Sequence, residues 1–223
     1  MKKRWGYSFI SIVLAVFVFL SFIYAAYLSC VKVVWIGKSI HFLVSENTHI
    51  EASVQNVRLD GGAGYLLERG DKKYVALSVY FNEEDGKSVQ VAILNRGEDV
   101  SLLTIPVDKL YFKTCQEKEF SSIYQGALEC LYGCMEVLGL EIARLDKGAT
   151  QQSSLRILSM LLKQLRYLSV EYEESFALCA SVCKKGEESL QEMLQKQIYT
   201  KDLRYLLCDL SVGYLQLASK FSL

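Results

Sequence analysis

Proline is almost missing. The chain has 223 residues and one proline, Pro106. No Pro- or Ser-rich linker and no low-complexity tract occurs, so an ordered chain able to build long helices is expected. Histidine is scarce as well: His41 and His49 are the two in the chain. No nucleophile elbow, paired-carboxylate loop or His-Glu-x-x-His is present, so an enzyme is not expected. Excess charge of either sign is also lacking. Lys plus Arg total 25 and Asp plus Glu total 25, which argues against nucleic acid as a partner.

What is abundant is hydrophobicity, concentrated at the start. From Trp5 to Val31 no residue is charged, and twelve of the residues from Phe9 to Ile23 are Leu, Ile, Val or Phe. At 1.5 Å per residue this run reaches about 40 Å, enough for a hydrocarbon core of roughly 30 Å. The run predicts a transmembrane helix over 5–31. Trp5 and Tyr7 at one end, and Tyr24, Tyr27 and Trp35 at the other, are placed like interfacial aromatics. Lys2, Lys3 and Arg4 then keep residues 1–4 cytoplasmic. That implies a single-pass protein in the cell membrane, with the bilayer as a partner and the C-terminal domain extracytoplasmic. A signal peptide would have a shorter apolar core. Lipidation at Cys30 would want a small aliphatic residue where Tyr27 stands.

Past the anchor the pattern alternates. Ser39–Val44 and Ile50–Leu59 read as short strands, the second from alternation of Ile50, Ala52 and Val54 with polar residues. Gly61-Gly62-Ala63-Gly64 reads as a turn or a close backbone approach, since no helix opens after it as a phosphate loop requires. Arg69-Gly70-Asp71 reads as a hairpin turn into Tyr74–Phe81. That strand has Val75, Leu77, Val79 and Phe81 on one face and Tyr74, Ala76, Ser78 and Tyr80 on the other. Asn82 caps a helix whose first turn holds Glu83, Glu84 and Asp85, favourable at the positive pole of the helix dipole and not an acid/base pair. Val89, Ala92 and Ile93 should form its buried stripe. Val100–Ile105 is the next strand, ended by Pro106, with Leu110–Phe112 as one more. The result is a β-α-β unit on a small sheet.

The stretch Tyr74-Val-Ala-Leu-Ser-Val-Tyr-Phe-Asn-Glu-Glu-Asp-Gly-Lys-Ser-Val resembles the first half of a sporulation-related repeat (SPOR) domain. The likeness covers about residues 64–112. Gly86 stands where that family prefers alanine, and the second strand-helix-strand half is not recognisable. The resemblance implies a non-enzymatic envelope protein that binds the glycan strands of peptidoglycan in sporulation or cell division. It would put Tyr74, Ser78 and Tyr80 on a sheet face that stacks on sugar rings. The alternative is an interaction scaffold that captures another envelope protein through its helices.

From Glu117 the period becomes helical. Stripes of Leu, Tyr and Cys predict three long helices ending at Lys147-Gly148, at Lys184-Lys185-Gly186 and near Phe221, folded as an antiparallel bundle. The expected class is α+β: a transmembrane helix, a small α+β domain over 39–112, and a bundle over 117–222. Turns at Gly148 and Gly186 would bring Cys115 level with Cys179 or Cys183, and Cys208 level with Cys130 or Cys134. Those pairs are candidate disulfide neighbours. Buried free thiols are the ordinary alternative. No metal or cofactor is expected.

Overall fold

The computed structural model describes residues 19–21, 31–45, 50–113 and 118–219. Residues 19–21 are helical. Beyond them lie four strands and six helices: β1 (Val31–Ser45), α1 (Ile50–Leu59), β2 (Tyr65–Arg69), β3 (Lys72–Tyr80), α2 (Glu83–Leu94), β4 (Ser101–Lys113), α3 (Lys118–Asp146), α4 (Gln151–Glu171), α5 (Ala177–Gln195) and α6 (Thr200–Ser219).

The expected transmembrane helix and the single-pass membrane location are corrected here. Among the described residues no helix is long and apolar enough to cross a membrane. Most of the run from Trp5 to Val31 lies outside the described residues. Its last residue, Val31, belongs to β1 and pairs with Lys113, and Trp35 pairs with Lys109. Valine and tryptophan suit a strand as well as a bilayer boundary, which is why hydropathy alone misplaced this edge.

The sheet runs β2-β3-β1-β4, and every neighbouring pair is antiparallel. β3 and β4 are therefore parallel to each other with β1 between them, a β-α-β unit split by the first strand. Asn82 caps α2 as expected, its side chain accepting from the Glu84 N–H at 2.9 Å. β4 does not end at Pro106 but passes through it, pairing Pro106 with Ser39. An edge strand tolerates the missing N–H.

Ile50–Leu59 is a helix, not a strand. Five residues of alternation are also compatible with a helical face, and Ser53 is buried with Val54 and Val57 half-buried. The glycine cluster then closes that helix. Gly61 has φ +88°, and the Gly62 N–H bonds back to Val57 O at 2.8 Å, a left-handed helix stop.

The bundle has four helices, not three. Gly186 does not end a helix; it sits buried within α5, where an added Cβ would stand 2.8 Å from Leu210. The breaks fall instead between Glu171 and Ala177 and between Gln195 and Thr200, where no glycine or proline marks them. At the first, buried Phe176 meets Tyr124 edge-on with ring centroids 4.3 Å apart. Each helix packs on the next, α3 on α4, α4 on α5, α5 on α6, and α6 back on α3. α6 also lies against the sheet, and one continuous apolar core joins Phe42, Val44 and Val79 to Leu131, Leu138, Leu207 and Tyr214.

Candidate functional site

Opposed residues of an antiparallel ladder share a face. Phe42 opposes Val79 and Val44 opposes Ala76, so Leu77 is an extra residue on β3, a bulge. The Ala63 N–H caps its carbonyl at 2.8 Å. The bulge reverses the alternation. Tyr74 and Ala76 join Val79 in the core shared with the bundle, whereas Ser78 and Tyr80, opposite Leu43 and His41, turn to the other side of the sheet. There a Cβ added to Gly86 of α2 would lie 3.5 Å from the Tyr80 ring. Tyr74 is 9% exposed and Ser78 7%, and burial pushes the Tyr80 hydroxyl above its ordinary value. The three side chains expected to form one sugar platform are thus split between two faces, two of them buried. Even spacing in the sequence could not reveal the inserted residue.

The thiols also gather differently. Because the α4–α5 turn lies near Ser175 and not at Gly186, Cys179 and Cys183 come beside α3. Burial, with Cys130 and Cys179 nearby, pushes the Cys134 thiol up to about 12. A hydrogen bond with Cys179, then burial, pushes the Cys183 thiol up. Cys208 is fully buried on α6, and its thiol is raised by that burial. Cys130, Cys134, Cys179, Cys183 and Cys208 are all free thiols, so the candidate bridge between Cys208 and Cys130 or Cys134 is not formed. Cys115 lies outside the described residues. Among the described residues no group of His, Cys, Asp and Glu is arranged to hold a metal ion.

One cleft stands out where α1, the end of α5 and the start of α6 meet. Its volume is about 500 Å³, within the range of small-molecule sites. Arg58 in the last turn of α1 reaches Asp202 of α6 at 2.8 Å, and its guanidinium carbon lies 5.5 Å from the Tyr205 ring centroid. Across the opening Lys196 pairs with Glu192 at 2.5 Å and holds that carboxyl below its usual range. Tyr199 and Tyr205 are 48% and 39% exposed. The Tyr199 hydroxyl donates to Gln197 Oε1 at 2.9 Å.

The wall is braced from behind. Tyr65 of β2 packs on Tyr205 with centroids 5.0 Å apart and donates its hydroxyl to Asp209 Oδ1 at 3.1 Å. Burial first, then Asp209, push the Tyr65 hydroxyl above its ordinary value. Arg204 donates to the carbonyl of Gly61 and pairs with Asp146 at 2.5 Å, tying the glycine turn to α6. None of these cleft residues stood out in the sequence. Arg58 lay in a stretch read as a strand, and Tyr199 and Tyr205 lay inside a stretch read as one uninterrupted helix.

Compared with protein-family models, curated proteins and solved structures, the chain matches none.

Proposed function

We propose that this chain is a non-catalytic glycan-binding protein whose saccharide site is the α1–α5–α6 cleft and not the sheet face. The observation that carries this reading is the pairing of two half-exposed tyrosines with charges that already neutralise one another. Arg58 with Asp202 and Lys196 with Glu192 cancel in sign. An ionic ligand would have to break a formed pair. A neutral hydroxyl does not: it accepts from guanidinium N–H groups and donates to carboxylate lone pairs left over by the ion pairs. The tyrosine rings supply an apolar surface with a polar tip, suited to the C–H face of a sugar ring. Isolated peptidoglycan and soluble N-acetylglucosamine oligomers are the probes. Binding by the whole chain should weaken about tenfold or more in Tyr199→Ala and remain unchanged in Tyr74→Phe. Loss of binding in Tyr74→Phe with none in Tyr199→Ala would return the site to the sheet. No binding of either probe by the unaltered chain would sink the glycan reading. A second reading, a scaffold acting through the bundle, is favoured by apolar side chains left outside α3 and α4.

A further inference from the structure

The outward side of α3 carries its own repeat. Gly126, Cys130, Gly133, Val137, Leu140 and Arg144 follow one another at alternating spacings of four and three, the spacing of a seam for a second helix. The rest of the molecule leaves its middle open, while an added Cβ on Gly126 would meet the Tyr172 hydroxyl at 3.9 Å and Arg144 pairs with Glu141 at 2.9 Å. Val137 is 41% exposed, Leu140 is 67% exposed and Cys130 is exposed. An added Cβ on Gly133 would meet no atom within 4 Å. A glycine in the middle of a 29-residue helix weakens that helix relative to alanine, and here no internal neighbour requires it.

We propose that α3 pairs antiparallel with α3 of a second copy, about a twofold axis between Glu136 and Val137. In that register Leu140 of each chain lies over the bare backbone of Gly133 in the other, a knob into a hole made by the missing side chain. Cys130 lies opposite Ala143. Glu129 lies opposite Arg144, whose guanidinium also pairs with Glu141 of its own helix at 2.9 Å. The arrangement is isologous, so every favourable contact occurs twice. A parallel pair would set Leu140 against Leu140, Gly133 against Gly133 and Arg144 against Arg144, leaving a void and a charge clash.

The neighbouring helix widens the surface. α3 ends at Asp146, and α4 begins at Gln151 and packs back against it, so levels in the antiparallel pair run from Asp146 beside Gln151. That register sets Met160 about level with Val137 and Tyr167 about level with Cys130. Met160, Tyr167 and Val170 are 64%, 56% and 68% exposed. Helix α3 is about 44 Å long at 1.5 Å per residue.

Register makes the test specific. With native Cys130 retained, Ala143→Cys in the full chain should trap a covalent dimer under mild oxidation. The same variant combined with Cys130→Ser should not. Separately, Leu140→Glu should raise the dissociation constant of the dimer about 30-fold or more with an unchanged far-UV spectrum. No trapped dimer, or one that persists after Cys130→Ser, overturns the register. Unaltered association of Leu140→Glu overturns the surface. A chain that is monomeric when pure and pairs only with a different protein overturns the choice of occupant.

Discussion

Helices α6 and α3 are built from similar residues and are used in opposite ways. α6 spends its apolar surface inside: Leu203, Leu206, Leu207, Leu210, Tyr214 and Leu217 are all buried, closing the bundle and lying on the sheet. α3 buries Leu128, Leu131, Met135 and Leu138 and then carries a second apolar seam on its outer side. One face of a helix suffices for a core. A second face is left for something else, and the two glycines make the contrast concrete. Gly186 of α5 is small because Leu210 is against it, and Gly133 of α3 is small with nothing against it.

The largest effect should come from breaking the inner side. Leu131→Ala removes a fully buried side chain and should cost about 2–5 kcal/mol in chemical denaturation. Leu140→Ala, measured at concentrations where the chain is monomeric, should stay within about 0.5 kcal/mol. Next come the glycines. Gly186→Ala forces a methyl towards Leu210 at 2.8 Å and should destabilise by about 1–3 kcal/mol. Gly133→Ala should stabilise the monomer by about 0.5–1 kcal/mol and weaken self-association. Equal signs for the two would erase the distinction.

Smaller effects sharpen it. Arg58→Ala breaks a partly solvated pair with Asp202 at the cleft. It should cost no more than about 1 kcal/mol in thermal unfolding while lowering saccharide affinity several-fold in titration. The smallest is a pH effect on the far side of the sheet. Burial lowers the pKa of His41 from 6.5, where its ring nitrogen meets the Thr104 hydroxyl at 2.9 Å. The unfolded chain then takes up the proton first. Stability is full above about 6.5 and declines as pH falls below that value towards the folded-state pKa. Urea midpoints across this window should fall in the unaltered chain and stay flatter in His41→Gln.

Local signals carried much of the fold. The Gly70-Asp71 turn, the Asn82 cap and the stop at Gly148 are short-range chemistry and stand where the residues put them. What escaped is set by tertiary contact. The Leu77 bulge inserts one residue into an even alternation. Gly186 looked like a helix stop because a helix packed tightly on another and a helix end both call for glycine. The breaks before Phe176 and Thr200 carry no breaker residue at all. The cleft was illegible for the same reason: Arg58, Glu192, Tyr199 and Asp202 come together only once α1 is a helix and α5 has turned into α6. The seam on α3, by contrast, could be read as spacing. Its exposure could not, because the inward stripe of the same helix has the same period.

The most direct measurement is the solution mass of the unaltered full chain by light scattering over a concentration series. The account predicts twice the mass of one chain at the upper end, declining to a single chain on dilution. A single-chain mass throughout would contradict it.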